Sequence, residues 1–260
     1  MKIPHQVLGN VGQCIYCKTT QKALHTEHIV PYSLNGRWEL LKASCQDCAD
    51  ITSTFERDVS RKLLLPARML DLSTYHKGKQ PAALSLEIES RGQKETLHIP
   101  WKEAPIPISL PFFKLPAYID QRRYEKSIDL CGQPWTVLGS SRIEEIARKH
   151  GAESLSISIS YEPIQFARLL AKIAYGFAIA HYGLDKIREV YVLPAIMGQL
   201  DDVGRWVGCK TTDLLGPSKN LHEIKLISVN EEIHCNLRLF SQLNTPEYLV
   251  IVGRASECPS

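Results

Sequence analysis

Apolar residues recur along this chain at both helical and strand spacings, which predicts a mixed α+β protein. Four of them recur at every fourth position and form one stripe on a predicted helix: Ile51, Phe55, Val59 and Leu63. This helix is predicted to begin near Cys48 and to end at Pro66. A second, strongly apolar helix is predicted over 163–182, with Pro163 suited to its first turn and Gly183 to its end.

Alternating apolar and polar positions predict the strands. Residues 83–101 are predicted to form two strands around a glycine-containing turn, and "ESLSISISY" (153–161) is predicted to form another. A short helix is predicted to end at Gly151, and three strands are predicted near the C-terminus, the first two joined by a hairpin around Asn230.

The chain is predicted to have three parts. Residues 1–70 contain paired cysteines, and residues 71–116 contain the hairpin followed by a proline-rich connector or covering segment. Residues 117–260 form an α+β domain for which sensing, recognition and oligomerisation are all open. Five aromatic or basic residues of its apolar helix could line a ligand pocket, but a core helix with a few polar edge residues is favoured: Arg168, Lys172, Tyr175, His181 and Tyr182.

Composition narrows the class of protein. The chain has 260 residues, of which 44% are apolar and 23% charged, as in ordinary globular proteins. No apolar run is long enough for a membrane span, and the N-terminus lacks the apolar stretch of a secretory signal, so we expect a cytoplasmic protein without a membrane partner.

The net charge of +3 is too small to indicate a polyanion partner by itself. Four residues form a local basic run: Arg57, Arg61, Lys62 and Arg68. The run predicts phosphate contact, at Arg57 and Arg61, only if a nucleic-acid site lies beside it; otherwise it is a solvated helix face.

Four of the eight cysteines form two C-x2-C pairs separated by 27 residues: Cys14, Cys17, Cys45 and Cys48. Two such pairs can present four thiolates to one tetrahedral Zn²⁺ ion in a closed structural site. An iron–sulfur cluster, two disulfides or coincidence are the alternatives, and we favour structural zinc. The other four cysteines are scattered and are expected to be buried or free thiols: Cys131, Cys209, Cys235 and Cys258.

The segment between the cysteine pairs contains "LHTEHIVP", followed by an Asn-Gly turn and the apolar strand "WELLKAS". Together with "CIYC", "TEHIVPYSLNG" and "ASCQDCADITSTFE", it resembles the HNH endonuclease family in its zinc-containing ββα form. The resemblance covers roughly residues 14–60, under a quarter of the chain. It implies an N-terminal ββα nuclease module that hydrolyses phosphodiester bonds, most plausibly in DNA.

The resemblance also implies roles for particular residues. His28 becomes the general base, and Glu27 becomes a ligand of one divalent ion, Mg²⁺ or Mn²⁺. His25 is a supporting residue, with an ordinary polar role favoured over contact with phosphate or metal, and Gly36 supplies a turn. Neighbours in a plain strand point to opposite faces, so Glu27 and His28 serve one site only if the strand ends or bulges there.

The chain departs from the family pattern at two positions. Leu40 replaces an asparagine that normally braces the loop, and Ala49 replaces an Asn or His that normally completes the metal shell. Asn35 is a candidate brace and Asp50 a candidate metal ligand, each with an ordinary turn or helix-terminus role as its alternative. Glu56 lies almost two turns further along the helix and is predicted to be too distant.

These departures leave a variant active site, a binding module that has lost cleavage, and an inactivated form as hypotheses, of which we favour the first. The leading hypothesis is a metal-dependent nuclease. A bacterial defence role is suggested only by the association of the family with defence. A zinc-containing nucleic-acid-binding protein without cleavage is the second hypothesis. A ligand sensor with a deep polar pocket in its C-terminal half is the third. A homo-oligomer or a regulatory partner would act through residues 117–260.

Overall fold

The computed structural model describes residues 5–61, 63–64, 83–90, 92–100, 103–104, 108–123, 127–137, 140–156 and 162–256. The strands of this part of the chain are β1 (Gln6–Asn10), β2 (Leu24–His28), β3 (Trp38–Cys45), β4 (Ala83–Ser90), β5 (Gln93–Pro100), β6 (Ile108–Leu110), β7 (Trp135–Val137), β8 (Ser154–Ser156), β9 (Ile187–Val190), β10 (Val207–Gly208), β11 (His222–Val229), β12 (Glu232–Leu239) and β13 (Tyr248–Ala255). Its α-helices are α1 (Gln46–Arg61), α2 (Ala117–Asp120), α3 (Ser140–His150), α4 (Pro163–Tyr182), α5 (Leu193–Ile196) and α6 (Val203–Trp206). The predicted mixed α+β class is confirmed.

The N-terminal module is a small sheet in the order β1-β3-β2, followed directly by α1. Strand β3 is central, antiparallel to β2 and parallel to β1. Helix α1 begins at Gln46, close to the predicted start, and ends at Arg61; the predicted end at Pro66 lies outside the described residues. This three-stranded sheet and α1 place both cysteine pairs and the His28 segment next to each other.

The C-terminal part is built on a five-stranded antiparallel sheet. Its strand order is β10-β13-β12-β11, and β9 pairs with β13. The predicted hairpin of β11 and β12 turns at Asn230 and Glu231, both of which adopt positive φ. Helix α4 spans 163–182 as predicted, ends at Gly183, and packs against β12 and β13 on one side.

The hairpin of β4 and β5 forms where the alternation predicts it, and β8 adds a third strand beside β4. Helix α3 ends before Gly151, which has a φ of 59°. Within the proline-rich segment, β6 pairs with β7 and is fully buried, so this part is a covering strand. The rest of the strand predicted over 153–161 lies outside the described residues.

One buried apolar cluster joins the N-terminal module to the C-terminal sheet. Helix α4 lies between them, because its other side packs against α1. Gly176 of α4 faces Ile29 at this junction: a Cβ on Gly176 would lie 3.5 Å from a side-chain carbon of Ile29, an ordinary van der Waals distance. The rings of Trp38 and Phe177 pack with centroids 5.6 Å apart. One core therefore contains residues of the first and the third predicted parts.

Among the helices of the described residues, none is both long and apolar enough to cross a lipid bilayer.

Candidate active site

The four paired cysteines meet at one end of the N-terminal sheet. Their Sγ atoms all lie within 4.8 Å of one another, and the Sγ atoms of Cys17 and Cys45 are 3.7 Å apart. Tetrahedral Zn²⁺ with Zn–S bonds of about 2.3 Å requires sulfur atoms about 3.8 Å apart, whereas a disulfide needs about 2.05 Å. The donors therefore fit a structural zinc ion held by Cys14, Cys17, Cys45 and Cys48, which would tie the loop after β1 to the start of α1.

Strand β2 ends at His28, and its pairing with β3 shifts register between His25 and Glu27. The break in regular alternation allows neighbouring side chains to serve one site, as the sequence required. Glu27 and His28 both line a cleft of about 440 Å³ between the end of β2, the following loop and α1. The structure thus brings the two principal candidates together.

His28 is paired with the carboxylate of Glu39, for which the sequence pattern predicts no role. Its Nε2 lies 3.0 Å from Oε1 of Glu39, the residue directly opposite it on β3. The same oxygen lies 2.9 Å from Nδ1 of His5. Because a carboxylate accepts hydrogen bonds, this contact places the proton of a neutral His28 on Nε2 and leaves the Nδ1 lone pair as the basic site.

The electrostatic surroundings favour the neutral form of His28. Burial lowers the pKa of His28, and the positive charge of Lys172 lowers it further, against the opposing effect of Glu39. A neutral imidazole with an oriented N–H is the form that a general base requires at physiological pH.

The side chain of Lys172 enters the cleft from α4, at the floor of the site. It is 2% exposed, and its Nζ lies 2.6 Å from Oε1 of Glu27 and 2.8 Å from Oε1 of Glu56. The ammonium also donates a hydrogen bond to the main-chain carbonyl of His28. A residue 144 positions away therefore connects the end of β2 to α1.

The charges of this cluster shift the pKa values of Lys172 and Glu56. Burial disfavours the charged form of Lys172, but the carboxylates of Glu27 and Glu56 outweigh it and raise the pKa of the lysine. Burial raises the pKa of Glu56, and Lys172 opposes that rise. Lys172 is therefore a protonated cation, and its charge favours the ionised form of Glu56 against the effect of burial.

The resemblance implied a divalent ion at Glu27, and the residues present do not fit one in this arrangement. Glu27 and Glu56 offer the hard oxygen atoms that Mg²⁺ or Mn²⁺ prefers. One oxygen of each is bound to the ammonium of Lys172, and the alanine at position 49 has no donor atom. Where the sequence predicted a metal-ligating carboxylate, the structure shows an ion pair.

Two predictions about α1 differ from the structure. Ala49 and Glu56 both line the cleft because residues seven apart lie on one helix face, so Glu56 is not too distant. Asp50 lies on the exposed face, where it accepts a hydrogen bond of 2.6 Å from Gln46, and it is not among the residues that line the cleft. The structure therefore does not bring Asp50 to Glu27.

Leu40 is 1% exposed and lies opposite Glu27 on β3, so an apolar contact replaces the expected asparagine. Asn35 has a φ of 67° and accepts a hydrogen bond of 2.9 Å from Arg37. The guanidinium of Arg37 stacks over Tyr32, whose ring contacts His28 edge-on with centroids 5.8 Å apart. Asn35 thus supports the site through two intervening side chains.

Gly36 is required by a close approach within the same loop. A Cβ at this position would lie 1.8 Å from the main-chain oxygen of Val30. The close approach leaves no space for a side chain, which explains why glycine occupies the predicted turn.

The predicted phosphate contacts lie on the rim of the cleft. Arg57 and Arg61 are exposed and line it from α1. His25 is also exposed, but it is not among the lining residues. The other two residues of the basic run, Lys62 and Arg68, lie outside the described residues.

Residues 14–64 match a family model described as HNH endonuclease. The match spans both cysteine pairs, β2, β3 and α1, and confirms the resemblance of this module to that family. Comparison with curated proteins and with solved structures gave no match.

Proposed function

We propose that the cleft between β2 and α1 hydrolyses phosphodiester bonds of nucleic acid, with His28 as the general base. The observation that carries the proposal is the pairing of His28 with Glu39 inside a module that matches the HNH endonuclease family. Structural zinc at the four cysteines would stabilise the module and would leave no coordination position for water.

The chemistry assigned to His28 follows from its contacts. Nδ1 takes a proton from a water molecule, whose oxygen then attacks the phosphorus atom. The bond to the leaving oxygen breaks with its electron pair on that oxygen, which takes a proton from solvent, and the imidazolium then returns its proton to solvent. Glu39 holds the ring through Nε2 and stabilises the imidazolium that forms, so Glu39 is a positioning residue. No step is assigned to a divalent ion at Glu27.

Arg57 and Arg61 supply positive charge at the rim of the cleft. Guanidinium groups bind phosphate oxygens with two hydrogen bonds and stabilise the charge that develops on them. Arginine contacts to phosphate carry no sequence information, so the proposed substrate is DNA without strong sequence preference.

The test is cleavage of supercoiled plasmid by zinc-loaded protein, comparing the wild type with His28→Ala. We expect nicking by the wild type and loss of at least about two orders of magnitude in the variant, the usual contribution of a general base. His98→Ala, a substitution of an exposed histidine on β5, is the control and should retain full activity. Zinc content and circular dichroism establish that each variant is folded.

Each reaction is run with no added divalent ion, with Mg²⁺ and with Mn²⁺. Equal nicking by wild type and His28→Ala would reject His28 as the base. A folded wild type that binds DNA without nicking it would favour the second candidate, a nucleic-acid-binding module. Ala49 supports that candidate, because it removes a side-chain donor from the cleft.

A further inference from the structure

Lys172 is a charged residue within an otherwise apolar stretch of α4. Its neighbours from Leu169 to Tyr175 are all buried. A lysine in such surroundings is stable only if its charge is compensated, since an uncompensated buried ammonium costs several kcal/mol. Its position is therefore explained by the groups that its ammonium contacts.

The contacts of the ammonium are complete. A protonated lysine has three N–H donors, and Nζ has three acceptors: one oxygen each from Glu27 and Glu56, and the carbonyl of His28. No donor remains for a substrate phosphate. Lys172 thus acts on this cleft through its charge and through the groups it holds.

We propose that Lys172 is the resident cation of the cleft: its ammonium occupies the position between Glu27 and Glu56, so that the native site takes no divalent metal on these carboxylates. By resident cation we mean a positive charge that belongs to the protein itself and takes the place of a bound ion.

Two physical reasons exclude a divalent ion while Lys172 is in place. Mg²⁺ requires oxygen ligands at about 2.0–2.1 Å in octahedral geometry, and the carboxylate oxygens here surround an ammonium instead. A second cation between Glu27 and Glu56 would also lie within a few ångströms of the lysine, where like charges repel strongly in a poorly solvated site.

The resident cation comes from the C-terminal half of the chain. Helix α4 therefore supplies the buried ammonium between Glu27 and Glu56, and it holds the main chain of His28 at the same time. Any displacement of α4 would release both carboxylates and the carbonyl of His28 together. This dependence gives the C-terminal part a direct effect on the site.

The test measures Mn²⁺ binding to zinc-loaded, full-length protein by electron paramagnetic resonance, without nucleic acid. The wild type and Glu27→Gln should bind Mn²⁺ equally, because Glu27 is already paired with Lys172. Lys172→Ala should bind it roughly tenfold more tightly or better, since two carboxylates and a carbonyl then have space for a hydrated ion. Lys172→Met removes the charge but fills the space and should gain much less.

Glu27→Gln combined with Lys172→Ala should lose the gain. Mn²⁺ binding by the wild type that is lost in Glu27→Gln would overturn the inference, and this comparison does not depend on folding of the lysine variants. A folded Lys172→Ala protein without added Mn²⁺ affinity would overturn it as well. The measurement involves no cleavage, so it stands apart from the outcome of the plasmid assay.

Discussion

The hydroxyl of Tyr175 on α4 donates a hydrogen bond of 2.6 Å to the main-chain carbonyl of Ile15. Ile15 lies between Cys14 and Cys17, so this bond joins the central helix to the first cysteine pair. Both groups are buried. The zinc-binding module is therefore held by the C-terminal part through a specific polar contact as well as by apolar packing.

Replacing Tyr175 by Phe should lower the free energy of unfolding by about 1–3 kcal/mol, because a buried acceptor loses its donor. It should also speed the transfer of zinc to a chelator, since the Cys14–Cys17 turn loses a support. Tyr248→Phe is the matched control: its hydroxyl donates to the carbonyl of Pro111, remote from the cysteines along the chain. An equal effect of both substitutions on zinc release would contradict the proposed link.

Loss of a single thiolate should abolish stoichiometric zinc binding. Cys17 is exposed, so Cys17→Ser changes little packing and reports on the metal. We expect the protein to lose its zinc and its N-terminal module to unfold, because binding of structural zinc supplies folding free energy. Cys131→Ser, at a partly exposed cysteine outside the cluster, should retain zinc. Zinc retained at full stoichiometry in Cys17→Ser would remove Cys17 from the ligand set.

The sequence was sufficient for the features that depend on local spacing. The two C-x2-C pairs predicted the cysteine cluster, and the acidic-His segment between them indicated the cleft. The apolar stripe of α1 predicted the start of that helix, and the apolar run of α4 predicted both of its ends, to within a few residues, because helix periodicity is a property of neighbouring positions.

The contacts that complete the site depend on tertiary packing and were missed. The apolar pattern of α4 predicts an edge position for Lys172, whereas a lone lysine among buried apolar residues indicates a carboxylate partner elsewhere. Glu39 could be identified only after the register of β2 and β3 was known, since it acts by lying opposite His28. The separation of Glu56 from Ala49 along the helix predicts that Glu56 is too distant from the site, whereas both residues lie on the helix face that lines the cleft.

Glu39 should affect both the pH dependence and the rate of cleavage. Burial already lowers the pKa of His28, and Glu39 opposes that decrease. Activity should therefore rise with pH as His28 loses its proton, then level off above a pKa that lies below the usual value of about 6.5. Glu39→Gln removes the opposing charge, so the rising limb should move to lower pH.

The plateau of kcat/KM should fall by roughly one to two orders of magnitude in Glu39→Gln, because the ring loses its orienting carboxylate. Glu87→Gln, on the exposed side of β4, controls for a change in net charge. A limb that moves to higher pH in Glu39→Gln would show that another group governs the profile.

The rim arginines should govern the salt dependence of binding to DNA. Each guanidinium that neutralises a phosphate releases condensed counterions, so Arg61→Gln should weaken binding and reduce the slope of log K against log [salt] by about one. Arg148→Gln, at an exposed position on α3, changes the net charge equally and should leave the slope unchanged. Filter binding over a salt series measures both. Equal slopes for the two variants would place DNA away from the rim.

His222 should make the stability of the protein pH-dependent, because its neutral imidazole links the loop after β2 to the C-terminal sheet. Its Nε2 lies 2.8 Å from the carbonyl of Leu34, and its Nδ1 accepts a hydrogen bond from the main-chain N–H of Phe240. Burial lowers the pKa of His222 to about 4, whereas the unfolded value is about 6.5. The unfolded chain therefore takes up a proton below about pH 6.5 that the folded protein does not, and stability is lost as the pH falls towards 4.

Urea unfolding at pH 7 and pH 5 measures this effect. From the two pKa values, His222 accounts for a loss on the order of 2 kcal/mol between these conditions. His222→Gln should be less stable at pH 7, because the N–H of Phe240 loses its acceptor, but its loss on acidification should be smaller by that amount. His150→Gln, at an exposed histidine, should show the full loss. Because protonation of the cysteines affects all three proteins alike, the same loss in His222→Gln would mean that another group accounts for the sensitivity to acid.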